Sequence, residues 1–449
     1  MTGLPRSTPA EQGVDAAGIE AFVSALAPLP DVELHSLMVL RHGHVVDERW
    51  WHPYAAETPH LLYSLSKSFT STALGLAVGE GTVDLDATVL SYFPEFDAEV
   101  TDERSRSTLV RHVAAMAGGH EAETFERARK AGDGDLLLGL LLTPPEHDPG
   151  TIFAYNQPCT HALSAIVQRV SGVPLTGYLR PRLFEPLGIT GYGWLRNAQG
   201  RDLGYSGLYA PTEAIAKLGQ LYLDDGVWAG ERLLPEGWVA EATRSHVEPH
   251  LPEPDWSQGY GFQFWRSRHG YRGDGAYGQL MVVLPEADAV VAITAQSPGM
   301  QAMLDALWEH LLPALTAGGA SAPSAVTALS LPGPPADGPA GELAAATYLP
   351  APANEVTTLR TVRLDGGELT LTDTGREVTA ALGAPGAWTT TGPLATAYAW
   401  DEGRLRVDVI FVETPHRLHL ILDPASGRFE AAWQAVPLGD PPLAKLRTP

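Results

Sequence analysis

Residues 61–76 read LLYSLSKSFTSTALGL, a cluster of serines around one lysine at the head of an apolar run. Lysine is scarce here: Lys67, Lys130, Lys217 and Lys445 are the only four in 449 residues. Arginine greatly outnumbers it, and Ala, Gly and Pro are abundant, which suggests a coding bias against lysine. A lysine retained between serines is therefore informative. If the run is a helix with Ser64 in its first turn, residues three apart share a face, so Ser64 and Lys67 point into one space. Ser66 points elsewhere and Ser68 lies on the flank. A neutral lysine beside a serine can take the hydroxyl proton and create a nucleophile, provided burial or positive potential lowers its pKa. The positive end of the helix would stabilise charge developing at the serine. Arginine cannot replace it, because its guanidinium does not give up a proton.

The plain alternative is a capping Ser64 and a solvated Lys67. S-x-x-K alone arises by chance in roughly a quarter to a half of chains this long, so context has to decide. That context is PGTIFAYNQPCTHALSAIVQRVSG, residues 149–172. A loop rises through Tyr155 and Asn156, and Pro158 suits the first turn of the next helix. A tyrosine at the mouth of a helix can act as a second proton carrier. In isolation, a core tyrosine is the better reading by roughly four to one.

Outward from these two stretches, SLMVLRHGHVVDERWW (36–51) predicts two strands around a tight turn. Mostly helical patterning follows to about residue 200. LLPEGWVAEAT then predicts a helix, GYGFQFWRSR, GAYGQLMVVLP and AVVAITAQ predict strands, and MQAMLDALWEHLLPAL predicts a closing helix. A strand pair, a helical insert, three strands and a helix imply an antiparallel sheet with helices packed on it. Residues 319–340 are rich in Pro, Gly and Ala and read as a linker. Beyond them, LRTVRLDGGELTLT, AYAWDEGRLRVDVIFV and HRLHLILDPASGRFEAAW each alternate around a turn, predicting a small all-β meander or barrel. The division is then 1–318, the linker 319–340, and 341–449.

Composition narrows the partners. With 53 acidic against 30 basic residues the formal charge is −23, which repels phosphate backbones and anionic lipid. No window approaches the roughly 18 uninterrupted apolar residues of a spanning helix, and the first residues have no apolar signal core. The expectation is a cytoplasmic protein with a small-molecule or peptide substrate and neither nucleic-acid nor membrane partners. The lone Cys159 permits no internal disulfide. With no H-E-x-x-H or paired-Cys site, the 15 histidines do not suggest zinc. GYSGL at 204–208 fails the G-x-S-x-G pattern at Leu208.

Taken in order, SLMVLRHGHVV, LLYSLSKSFTSTALGLAVGEGTVDLDATVLSYFPEF, TLVRHVAAMAGG, LFEPLGI, LLPEGWV and GQLMVVLPEADAVVAIT follow the landmarks of one family. From about residue 8 to 315 the chain resembles the penicillin-recognising serine hydrolases: class C β-lactamases, D,D-peptidases and their esterase and amidase relatives. The resemblance implies an α+β fold, a β-lactamase/transpeptidase-like antiparallel sheet flanked by helices with a helical subdomain. The C-terminal all-β domain would be a lipocalin-like barrel. It also implies Ser64 as the acylated nucleophile, Lys67 as its proton partner, Tyr155 as general base and acid, and no metal or organic cofactor. Two departures stand out. The family often has Tyr-x-Asn, whereas here Gln157, after Asn156, stands where the substrate-binding amide is expected. The cationic third box has no clean copy in RHGYRGDGAYGQL (268–280): His269 with Gly270 is one candidate, and Gly273-Asp274-Gly275 lining the cleft is the other. That strand should supply the second oxyanion N–H beside that of Ser64. The resulting expectation is a serine hydrolase of small esters or amides. An acyltransferase or peptide-cyclising enzyme of secondary metabolism, and a non-catalytic binding scaffold, are the alternatives.

Overall fold

The computed structural model describes residues 3–318, 328–335 and 341–449. Of the expected linker, 319–327 and 336–340 lie outside the described residues. Within the remainder, Ser330 bridges to His52 and Leu331 is buried. The chain forms two compact units. The first holds Met1–Val32, Leu37–Glu48 and Leu62–Ser324; the second holds Glu33–Ser36, Arg49–Leu61 and Ala325–Pro449. A division by composition misses those two short N-terminal segments, which belong with the C-terminal unit through contacts distant in sequence.

A six-stranded sheet contains β1 (Glu33–Arg41), β2 (His44–Trp50), β3 (Trp265–Arg266), β4 (Tyr271–Gly275), β5 (Gln279–Leu284) and β6 (Ala289–Gln296), in the order β2-β1-β6-β5-β4-β3. The pairs β3/β4, β4/β5 and β5/β6 are antiparallel. Every residue of β5 and β6 is buried, as the apolar runs 280–284 and 289–293 within them require. The closing helix runs Met300–Ala306, widens through a π turn at Leu307–Leu311 and continues over Leu312–Thr316. No helix among the described residues is long and apolar enough to cross a membrane.

The central element is α1 (Ser66–Gly79), buried from Ser66 to Ala77. A helix buried all round is normally apolar, yet this one carries five hydroxyl residues in its first two turns. The reason lies in its neighbours, which are irregular loops with peptide groups to satisfy. Ser68, Thr70 and Ser71 donate to the carbonyls of Gln263, Gly204 and Phe262 at 3.2, 2.8 and 2.6 Å. The Leu208 N–H donates to Ser66 Oγ at 3.0 Å. This also corrects the strand expected over GYGFQFWRSR, of which only Trp265–Arg266 is strand. Alternation there comes from the buried Tyr260, Phe262 and Phe264, while positive φ at Gly259 (111°) and Gln263 (65°) breaks the extended path.

In the C-terminal unit, β7 (Ala346–Pro350), β8 (Leu359–Asp365), β9 (Glu368–Asp373), β10 (Arg376–Ala381), β11 (Thr389–Thr391), β12 (Leu394–Asp401), β13 (Arg404–Phe411), β14 (Arg417–Asp423) and β15 (Arg428–Trp433) form one sheet. Its order is β10-β9-β8-β7-β15-β14-β13-β12-β11, nearly closed like a barrel. Near the open seam, Thr391 Oγ1 accepts the Ala381 N–H at 3.1 Å, and Thr396 Oγ1 donates to the Ala381 carbonyl at 2.6 Å. Alternate residues such as Val362, Leu364, Leu369, Leu371, Val407 and Leu420 fill the interior.

The contact between α1 and β4 is tight enough to demand glycine. A Cβ on Gly273 would lie 2.4 Å from Ser68 Oγ and 2.6 Å from Leu65 Cδ1. Gly273→Ala is therefore expected to destabilise the protein by about 1–3 kcal/mol, the scale of overpacking in a close-packed interior. Urea unfolding measures this directly, and an unchanged midpoint would show that the helix yields freely.

Candidate active site

Ser64 sits in the short 3-10 turn Tyr63–Leu65 that leads directly into α1, one step before the helix proper. Tyr63, just before it, has φ 47°, a left-handed conformation that is costly for a side chain of this size. The end of β4 passes directly against this turn. A Cβ on Gly275 would meet the Leu62 carbonyl oxygen at 2.1 Å and the Leu65 nitrogen at 3.1 Å, so only glycine fits.

Lys67 is 1% exposed. Its Nζ lies 3.0 Å from Ser64 Oγ, 2.5 Å from Gln157 Oε1 and 2.7 Å from the Tyr205 carbonyl oxygen. The last two can only accept. An ammonium donates to all three partners. A neutral amine donates to the two carbonyl oxygens and turns its lone pair to the Ser64 hydroxyl, which can donate. Both protonation states are thus satisfied, which is the requirement for a buried group that gains and loses a proton. Burial lowers the Lys67 pKa to about 7, against the opposing pull of the Glu123 and Asp274 carboxylates.

Tyr155 precedes α2 (Gln157–Ser171), whose N-cap is Asn156 and whose first turn holds Pro158. The Tyr155 ring stacks on Trp265 (centroids 5.4 Å, 17°) and meets Tyr260 edge-on. Lys67 Nζ is 4.8 Å from its centroid. Burial holds the phenol well above its ordinary pKa and the Asp274 carboxylate adds to this, while the Ser64 hydrogen bond acts the other way. Asp274 accepts from Arg272 Nε at 3.1 Å. The buried Arg272 also donates to Ser267 Oγ and the Asp255 carbonyl, with its guanidinium 4.3 Å from the Trp256 ring.

The structure therefore brings Ser64, Lys67, Tyr155, Gln157, Asp274 and Gly275 together. It does not bring in two of the residues expected there. Asn156 is fully buried, and its Oδ1 accepts from the Thr124 N–H and hydroxyl, both at 3.0 Å, so the side chain ties down a loop. His269 lies in the turn before β4, with its ring 5.0 Å from Trp308. The five residues of β4, at about 3.3 Å each, separate it from Gly275 at the other end. Sequence reasoning missed Glu123 and Tyr205. Tyr205 contributes through its main-chain oxygen, which no side-chain motif reports. GYSGL was legible only as a failed G-x-S-x-G.

The family model described as Beta-lactamase matches residues 25–315. The chain belongs to the Beta-lactamase family. The 6-aminohexanoate-dimer hydrolase of Paenarthrobacter ureafaciens is 27% identical over 66% of this chain and 82% of its own length. Among solved structures, the octameric penicillin-binding protein homologue from Pyrococcus abyssi is similar over 90% of this chain and 98% of its own (TM-score 0.52, 18% identity). A mutant of simvastatin synthase from Aspergillus terreus covers 68% of this chain and 99% of its own (TM-score 0.53, 17% identity). The last two likenesses establish the fold. The family match, together with a curated relative named a hydrolase, makes this chain an enzyme of the β-lactamase-type hydrolase family.

The Lys67 environment gives a pH dependence with a definite sign. Below pH about 7 the lysine is an ammonium and cannot take the Ser64 proton; above it the amine is free. Labelling of the protein by a fluorophosphonate is expected to rise through a single limb centred near pH 7 and then level off. A rate that is flat from pH 5.5 to 9 would contradict the assignment of that limb to Lys67.

Proposed function

We propose that the protein hydrolyses small esters or amides through an acyl-enzyme on Ser64, with Lys67 as the base and Tyr155 as the proton donor to the leaving group. The observation that carries this reading is the buried Lys67 amine, 3.0 Å from Ser64 Oγ and held on its other sides by two oxygens that only accept. Ser64 Oγ attacks the substrate carbonyl carbon as its proton passes to Lys67 Nζ. The carbonyl oxygen becomes an oxyanion, received by the Ser64 N–H and an N–H near the end of β4. When the intermediate collapses, the bond to the leaving group breaks. That group departs with the Tyr155 proton, which Lys67 replaces. Water then attacks the ester carbon, the acid leaves, and Ser64 regains its hydrogen. Because Tyr155 is held protonated, the geometry favours it as an acid, with the base role falling to the lysine.

The substrate class follows from the third box. Where the family resemblance leads one to expect a cation, β4 offers Asp274; Arg272 gives Nε to that carboxylate and Nη1 to a hydroxyl and a backbone carbonyl, and its remaining Nη2, without a hydrogen-bond partner among the described residues, lies on a fully buried side chain. We infer that turnover does not depend on a substrate carboxylate. The 27% identity to a hydrolase named for a dimer of an amino acid, 6-aminohexanoate, supports including amides.

The test is intact-mass spectrometry during turnover of a p-nitrophenyl ester, followed by peptide mapping, with and without an added primary amine. The expected result is a transient acyl adduct on the peptide containing Ser64, absent in Ser64→Ala, and free acid as product. Amide formation in the presence of the amine would make acyl transfer the better description of the same intermediate. An adduct on Ser66, Ser68 or Ser206, or undiminished turnover by Ser64→Ala, would overturn the proposal.

A further inference from the structure

Tyr155 stands in the loop before α2, outside any strand or helix, yet the proposed mechanism asks its hydroxyl to meet a leaving group at one point. A tyrosine side chain turns about two torsions, so something has to fix its ring. The structure offers Trp265, whose ring lies on that of Tyr155 at 17°, with centroids 5.4 Å apart. Trp265 is itself firmly held. Its main chain belongs to β3, in register with Arg272 of β4, and the residue is 4% exposed. Tyr260 meets its ring edge-on at 4.6 Å, Phe153 at 5.5 Å and Trp256 at 6.4 Å. Tyr260 is also edge-on to Tyr155 at 6.1 Å, so the two stacked rings share one flanking wall. Stacked and edge-on contacts of this kind are the arrangements that aromatic quadrupoles prefer. A rigid strand residue thus orients a loop side chain.

We propose that Trp265 is a positioning residue for proton transfer to the leaving group: its indole, fixed by β3 and the surrounding rings, sets the plane of the Tyr155 phenol. Lys67 Nζ lies over that same phenol ring, 4.8 Å from its centroid. A ring that turned away would therefore also leave the group that returns its proton. Simple core packing accounts for the burial of Trp265, but gives no reason for its loss to be felt more by one leaving group than by another.

This inference rests on the acyl-enzyme reading with Tyr155 as proton donor, so its test separates the two. kcat/KM, which reports acylation, is measured for p-nitrophenyl butyrate and ethyl butyrate. The first leaving group departs as a stable phenolate without a proton, whereas ethoxide needs one. The variants are Tyr155→Phe, Trp265→Leu, Trp265→Met, Trp265→Phe and the double variant Tyr155→Phe/Trp265→Leu. Trp265→Leu is expected to lose at least about tenfold more with the ethyl ester than with the nitrophenyl ester, the scale of a displaced catalytic group. Trp265→Phe keeps a stacking ring and should bring that excess below about threefold. Trp265→Met fills space without a ring and should behave like the leucine variant; if the latter does not fold, methionine against phenylalanine decides. The double variant should show only the excess of Tyr155→Phe alone, because both changes remove one proton transfer. Equal losses with both esters in the ring-less variants, or rescue by methionine as complete as by phenylalanine, would overturn the proposal. Equal losses with both esters in Tyr155→Phe would instead remove Tyr155 as the donor, and this inference with it. Wild-type protein that forms no adduct on Ser64 would sink the acyl-enzyme reading as a whole.

Discussion

The site depends on keeping one lysine dry. An ammonium removed from water loses hydration that a few hydrogen bonds do not fully restore, so burial favours the amine. At Lys67 the compensation is incomplete by construction: its partners are one hydroxyl and two neutral carbonyl oxygens, and the nearby carboxylates only moderate the effect. A lysine in contact with a carboxylate would stay charged and could not serve as a base. The distances therefore set a balance in which either state is tolerated, near pH 7.

Much of the surrounding structure can be understood as holding that environment closed. Helix α1 is buried on every side although it is rich in Ser and Thr, and its hydroxyls bind the loops that cover it. One of these loops carries the Tyr205 carbonyl. It is pinned by Thr70 to the Gly204 oxygen and by Ser66 to the Leu208 N–H, so the acceptor that faces Lys67 cannot drift. A Cβ on Gly204 would lie 2.4 Å from Ser164 Cβ, which shows how closely this loop lies on α2. The strained Tyr63 and the glycine at 275 bring the Ser64 turn and the strand end together, where the proposed mechanism calls for an oxyanion to be received.

How much of this was legible in the sequence follows from how local each relation is. Ser64 and Lys67 sit three residues apart in one turn, so helical periodicity alone places them together. The barrel strands were legible because alternation is a property of the strand itself, as in Leu369 and Leu371 or Val407 and Val409. The seam between β10 and β11 was not, because closure depends on tilt and register summed over nine strands. Glu123 lies 34 residues before Gln157 and carries no motif; only the folded chain shows that its carboxylate reaches the start of α2. His269 is not brought to Ser64 because proximity in sequence to Gly275 becomes separation along an extended strand. GYGFQFW failed as a strand because its alternation reflects aromatic burial around backbone kinks.

The central claim is that Lys67 works by exchanging a proton with Ser64 and not by its charge alone. Lys67→Arg decides between the two, because arginine keeps the charge but remains protonated throughout. Rapid-quench measurement of the acyl-enzyme burst at pH 8 is predicted to show acylation slowed at least about a hundredfold, the low end for loss of an acid–base partner, with the melting temperature little changed. A burst at the wild-type rate in the arginine variant would contradict the account.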